Sequence, residues 1–222
     1  MSYGLELYND AGNKIVTGVE KTFYVKSTGL GTWSFPDIYT NYPGIYVETG
    51  VPTTQVPPQL FYDVDGTLGH SLKEYNGKWR YLIRGDAVNR STAPGNPVRW
   101  YFVDVIPNST PSGYGLYMKN DSGEVSLSSD VSIIRTAAVI DFAWGMAAKA
   151  GHGIPSSQLA HSVTSMGWDE WSSGLFDVFP VVSDNGSTAS LSNVLLTNFI
   201  SGSSDIRFMD ECSICYIYKP YL

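Results

Sequence analysis

YGLELYNDAGNKIV, from Tyr3 to Val16, returns 111 residues later as YGLYMKNDSGEVSL, from Tyr114 to Leu127. Six of the fourteen positions are identical without a gap: Tyr3/Tyr114, Gly4/Gly115, Leu5/Leu116, Asn9/Asn120, Asp10/Asp121 and Gly12/Gly123. A repeat on this scale sets the architecture before any single residue does. Each copy is an extended apolar run, then Asn-Asp-x-Gly, then a second run able to pair back on the first. Asn and Asp favour a type I turn, and the following glycine supplies the left-handed residue of a three-residue hairpin loop with a bulge. Two β-hairpins are therefore expected, each opening one half of a duplicated chain. The identical polar residues are all explained as turn residues, so the repeat itself assigns no reaction.

Working outward, strand-like runs rich in Tyr, Val, Ile and Trp follow at short intervals: Gly4 to Tyr8, Lys14 to Gly18, Thr22 to Val25, Gly44 to Glu48, Leu60 to Val64, Trp79 to Arg84 and Val98 to Ile106. Turn signals such as Asn-Tyr-Pro-Gly, Val-Asp-Gly and Asn-Gly separate them. This spacing predicts an all-β fold, two tandem β-sandwich, jelly-roll-like modules related by duplication. The polar segment Asn108 to Gly113 immediately precedes the second Tyr-Gly-Leu, so the modules are expected at 1–112 and 113–222. In the second, residues 137–150 are Ala-rich and suit a strand to Trp144 or a short helix. Residues 152–174 read as a long polar and aromatic loop. Leu175 to Val182, Asn193 to Ile200 and Ser213 to Tyr218 are further strands, the last matching Trp100 to Pro107 as an aromatic-rich run that stops at proline.

The net charge of −7 is unevenly spread, with 9 basic and 10 acidic side chains in residues 1–113 and 5 and 11 in the rest. No basic stripe is present to neutralise phosphates, which argues against a nucleic-acid partner. MSYGLELYND enters a strand pattern directly, without the regions of a signal peptide, so synthesis in the cytoplasm is expected. The most apolar stretch, Val131 to Gly151, is interrupted by Arg135, Asp141 and Gly145, so it is expected to be core and not inserted in a membrane. Two cysteines in 222 residues cannot form a disulfide-stapled scaffold.

Several patterns invite chemistry. LFYDVDGTLGHS, Leu60 to Ser71, places Asp63 and Asp65 as in the first motif of haloacid-dehalogenase-like phosphatases, where one aspartate attacks phosphorus, the other is the acid/base and a metal offsets their charge. That enzyme needs the motif at the end of a parallel strand. Here prolines precede it and no amphipathic helix follows, so a hairpin turn at Asp65-Gly66 is the expected reading. Cys212 and Cys215 form a CxxC, but no second ligand pair accompanies it, and His70, His152 and His161 are scattered along the chain. Three residues apart on a strand, the two sulfurs point to opposite faces, as buried free thiols would. No nucleophile elbow, zinc helix or phosphate loop is present. An enzyme, a metal and a cofactor are therefore not expected. Aromatic content is 14%, and GWDEWS, Gly167 to Ser172, sets Trp168 and Trp171 beside two acids in a loop-like context. These two are the candidate surface contacts.

At Tyr3, Gly4, Leu5, Asn9, Asp10 and Gly12 the chain resembles a family of tailed-bacteriophage virion proteins, encoded in tail-gene modules, that open with Tyr-Gly-Leu, a short strand and Asn/Asp-x-x-Gly. An aromatic strand, a Pro/Ser/Gly connector and a second Tyr-Gly-Leu phrase, also typical of that family, correspond to Trp100 to Gly123. Lys119 and the Ala-rich strand after Asp130 depart from the pattern. The resemblance implies a structural role in the virion, near the tail tip or fibre attachment, with other tail proteins and copies of the same chain as partners. It transfers no catalytic or ligand-binding residue. A receptor- or carbohydrate-binding module on the virion, stacking a host-surface glycan on Trp168 and Trp171, is the alternative expectation.

Overall fold

A computed structural model describes residues 7–8, 14–16, 21–34, 44–63, 68–85, 96–108, 115–143, 148–165, 178–195 and 211–220. In the first half they form a hairpin, β1 (Leu7–Tyr8) and β2 (Lys14–Val16), followed by β3 (Phe23–Gly31), β4 (Gly44–Pro52), β5 (Gln59–Asp63), β6 (Leu68–Tyr75), β7 (Lys78–Gly85) and β8 (Val98–Val105). The second half repeats the series: a hairpin, β9 (Tyr117–Lys119) and β10 (Val125–Ser128), then β11 (Thr136–Ala143), β12 (Ala148–Ala150), β13 (Leu159–Ser165), β14 (Val178–Asp184), β15 (Thr188–Leu195) and β16 (Glu211–Tyr218). The fold is all-β, with two large antiparallel sheets of six strands each.

Strand order makes the duplication explicit. The first large sheet runs β11-β16-β13-β5-β8-β3 and the second β12-β15-β14-β6-β7-β4. Each half thus supplies its third, eighth and fifth strands to one sheet and its fourth, seventh and sixth to the other, and equivalent strands meet in the middle. At those seams β5 lies antiparallel to β13 and β6 to β14, the arrangement a two-fold axis between the halves requires. The halves are joined edge to edge and share both sheets. Residues 109–114, where the module boundary was expected, lie outside the described residues.

Register confirms the repeat at the level of single residues. In the first hairpin Leu7 pairs with Val16 and Tyr8 with Lys14; in the second Met118 pairs with Leu127 and Lys119 with Val125, each partner 111 positions on and with the same bulge between the pairs. The bulge of β3 at Lys26, between Val25 and Ser27, recurs in β11 at Ala137, between Thr136 and Ala138, again 111 positions on. The turn of the second hairpin is as the sequence implied. Gly123 has φ 78° and donates its N–H to the Asn120 carbonyl at 2.9 Å, while the Asn120 side-chain oxygen accepts from the Ser122 and Glu124 amides. Residues 9–13, the first turn, lie outside the described residues. Asn76-Gly77 closes β6–β7 with both residues at positive φ, 50° and 73°, as a type I′ turn demands.

Two expectations are corrected. Asp65-Gly66 lies outside the described residues, and the strands that flank it do not form the expected hairpin: β5 pairs with β8 and β13, whereas β6 pairs with β7 and β14 in the other sheet. Residues 152–174 are not one long loop, because β13 occupies Leu159–Ser165 at the centre of the first sheet. Its sequence, LAHSVTS, reads as polar, since Ala160, His161 and Ser162 fill buried positions where larger apolar residues would be expected. The strand Leu68–Tyr75 also escaped the sequence reading. Of the two forms that the Ala-rich segment allowed, the structure shows a strand, β11, to Ala143.

Apolar residues of the two sheets interleave between them. Leu60, Tyr62, Val98 and Phe102 of the first sheet meet Ile45, Val47, Leu68, Tyr81 and Ile83 of the second, and in the other half Phe142, Leu159, Ile214 and Tyr216 meet Val182 and Ala189. The opposite face of the first sheet is buried too, by Phe61, Tyr101, Val103, Ala160 and Ile217, with Val25 and Ile134 packed against them. This second layer exists because the first sheet curls until its outer edges approach. Tyr24 of β3 bridges Ile133, just ahead of β11, with the Val25 amide on the Ser132 carbonyl at 2.8 Å and the Ile134 amide on the Phe23 carbonyl at 3.2 Å. Burial on both faces explains why β8, VRWYFVDV, is almost continuously apolar.

Gly31, at the end of β3, sits directly against the second sheet. A Cβ there would lie 2.3 Å from Ile45 Cγ2, a buried side chain of β4. Gly31→Ala should therefore cost roughly 1 to 3 kcal/mol by overpacking. Urea unfolding checks it, and an unchanged midpoint would show that β3 and β4 are not held this closely.

Candidate functional site: a buried histidine, tyrosine and aspartate array

The three histidines, 82 and 9 residues apart in sequence, converge between the two sheets. Topology brings them together: β6 carries His70, β13 carries His161, and the loop after β12 carries His152. His161 sits in the seam itself, directly opposite Tyr62 of β5 and, on its other side, opposite Tyr216 of β16. The rings then follow one another across the molecule. His70 lies edge-on to Tyr62 at 5.6 Å, with Nδ1 3.3 Å from the Tyr62 hydroxyl. Tyr62 meets His161 at 4.5 Å, His161 lies 6.1 Å from Tyr216, and Tyr216 meets His152 at 4.5 Å. On the far side of His70, Tyr81 stands 5.4 Å away and donates its hydroxyl to the Pro58 carbonyl at 2.9 Å.

Asp184, at the end of β14, closes the array. Its side chain is fully enclosed and accepts three hydrogen bonds: a short one from the Tyr216 hydroxyl, one from His152 Nε2 at 3.0 Å and one from the Gly186 amide at 2.6 Å. His152 Nδ1 accepts the Ile154 amide at 3.0 Å, which places the ring hydrogen on Nε2, facing the carboxylate. The histidine beside this aspartate has no nitrogen left to take a proton from a substrate. Its work is to tie the loop after β12 to the β14–β15 turn, where Gly151 and Gly153 donate to the carbonyls of Ser187 and Gly186, both at 2.7 Å.

His161 differs from its neighbours. The residue has no accessible surface, and neither ring nitrogen has a hydrogen-bond partner among the described residues. Burial pushes its pKa down to about 3, helped by the nearby His70 and opposed by Asp184 and the Leu68 backbone. His70, whose residue keeps some accessible surface, is pushed to about 4 by burial of its ring. Both rings are neutral at pH 7. Burial first, and then the bond to Asp184, drives the Tyr216 phenol far above its ordinary value, while burial raises Tyr81 to about 12. Among the described residues no three His, Cys, Asp or Glu side chains are grouped to hold a metal ion.

Of the residues singled out by sequence, Trp168, Trp171 and Asp65 lie outside the described residues. Asp63 ends β5, where its carboxylate takes Lys219 Nζ at 2.9 Å and the Tyr101 hydroxyl at 3.1 Å. It therefore anchors the last residues of the second half to the seam strand of the first. Cys215 is a free thiol on the inner face of the curled sheet, its pKa raised by burial, and Tyr216, the next residue, points to the opposite face. Sequence reasoning took the histidines as scattered. The available signal was their rarity together with the odd polar composition of LAHSVTS amid apolar strands. The chain was compared with protein families, characterised proteins and solved structures, and it matches none of them.

Removing the phenol of Tyr216 leaves the Asp184 carboxylate buried with one donor fewer. Tyr216→Phe is expected to destabilise the fold by about 2 to 4 kcal/mol at pH 7. Chemical denaturation measures this, and a loss below a few tenths would mean that Asp184 is satisfied without it.

Proposed function

We propose that this chain is a structural component of a bacteriophage virion, in the tail tip or tail-fibre attachment region, acting by assembly with other tail proteins and with copies of itself. The reading starts from the Tyr-Gly-Leu and Asn-Asp-x-Gly phrases. One observation carries it further: the first sheet leaves large apolar side chains at an edge. Phe23 of β3 and Val105 of β8 face each other across the ladder and are 50% and 40% exposed, and Leu30, further along β3, is 59% exposed. Apolar side chains exposed side by side are a liability in a lone molecule and a contact in an assembly.

The chemistry of the interior agrees with this reading. Asp184, Tyr216 and His152 are mutually saturated, and Asp63 is engaged by Lys219 and Tyr101, so these polar groups are spent on holding strands together. On the outer face of the second sheet, Arg80 lies over the rings of Tyr75 and Tyr46, at 3.5 and 4.5 Å, and pairs with Glu48. Such a stacked cation stiffens a surface without opening a site. The carbohydrate-binding reading rests on Trp168 and Trp171, and no described residue favours it.

The test is made on particles of the phage that encodes the chain. Mass spectrometry and antibody labelling should find the protein in purified virions, and Phe23→Ser combined with Val105→Ser should reduce its incorporation at least tenfold while the purified variant melts within a few degrees of the parent. Particles that lack the chain altogether would overturn the proposal. Metal-dependent phosphate release that disappears in Asp63→Asn would replace it with an enzymatic function.

A further inference from the structure

We propose that the seam between the two halves is an acid-labile joint: protonation of His161 parts β5 from β13 and β6 from β14, while the strands within each half stay paired. Geometry supplies the weakness. Across the seam the paired residues are Asp63 with Ala160 and Tyr62 with His161 in one sheet, and Gly69 with Val181 and Leu68 with Val182 in the other. Within the halves, by contrast, β13–β16 and β14–β15 are each held by seven residue pairs and β6–β7 by eight. Among the described residues, which stop at Asp63 on one side of the seam and resume at Leu68 on the other, these two-pair ladders are the shortest of the interior pairings in the two large sheets.

His161 sits in this short ladder with both nitrogens unpartnered and no accessible surface. A proton added there finds no free carboxylate, only the Leu68 backbone, which favours the charged ring too little to offset burial. The groups facing it are Tyr62 from β5, His70 from β6, Tyr216 from β16 and Asp184 from β14, with Tyr81 of β7 behind His70 and His152 behind Tyr216. Asp184 is the one carboxylate in that set and is committed to Tyr216, His152 and the Gly186 amide. A second proton on His70 would add like charge beside the first. Opening the seam lets water reach both rings and removes that cost.

The direction with pH follows. In the opened form both histidines bind protons near the ordinary 6.5; in the closed form burial holds His70 to about 4 and His161 to about 3. A group whose affinity is lower in the closed form stabilises that form above its ordinary value and loses the contribution as pH falls through the window beneath. The joint is therefore closed at pH 7 and loosens progressively between about 6.5 and 4. This inference does not depend on where the protein resides.

Hydrogen exchange of the full chain, read by mass spectrometry from pH 7 to pH 4 and corrected for intrinsic rates, tests it. Peptides covering β5 and β13 should lose protection at least tenfold more than those covering β7 and β15. In His161→Phe, which keeps a ring but cannot be protonated, the midpoint of that loss should move down by about one pH unit or more. An unmoved midpoint, or simultaneous loss over all strands, would overturn the proposal. Should the variant fail to fold, the His161 ring resonances of the unaltered chain decide. A titration near 6.5 with the seam amides still protected sinks the idea, and a ring that charges only as those amides open sustains it.

Discussion

The structure depends on the pairing of each half with its own counterpart. β5 meets β13 and β6 meets β14, so both six-stranded sheets run unbroken through the seam and neither half closes a sheet alone. A strand edge left open is a row of unpaired amides and carbonyls, and the neatest cover for the edge of one copy is the same edge of another turned through a half rotation. The 111-residue repeat, the matched hairpins and the matched bulges are what such a history leaves behind. The pattern is that of a symmetric dimer whose subunits have become one chain.

Once the halves share a seam, its two sides are free to diverge, and the interior shows where they have. At the crossing, Tyr62 and His161 face one another in a region where the flanking layers are Leu60, Phe102, Leu159 and Ile214. The array from Tyr81 to Asp184 spans both halves, yet its saturated part, with Asp184, Tyr216 and His152, belongs to the second half alone. Further contacts join the two halves outside the seam pairings. Lys219 reaches Asp63, Lys21 reaches Glu124, and Thr22 bonds the Ser126 backbone. Partly exposed ion pairs of this kind contribute little individually, so the joint relies on shared backbone pairing and on neutral, packed rings.

That reliance links stability to function. A polar interior that is fully bonded is rigid and specific, whereas an unbonded histidine in the same layer makes the fold conditional on its charge. A conditional joint at the symmetry axis is a means of changing shape without dismantling either half. The exposed Phe23 and Val105 lie away from the β5–β13 pairing, at the outer edge where β3 also meets residues 132–134 of the second half.

The amino-acid sequence by itself determined the class and the duplication: Asn-Asp-x-Gly and Asn-Gly turns impose backbone angles locally, and alternation of apolar residues needs no partner to be read. It also carried β8 and β16, whose burial on both faces makes them conspicuously apolar. Only the tertiary structure decided that the halves share sheets, that β13 is a central strand and that β5 and β6 lie in different sheets instead of pairing as a hairpin. The reason is physical. A seam strand is buried by a partner about a hundred residues away, so LAHSVTS need not be apolar to be inside, and the meeting of His70, His152 and His161 is set by strand order, which no local pattern of residues encodes.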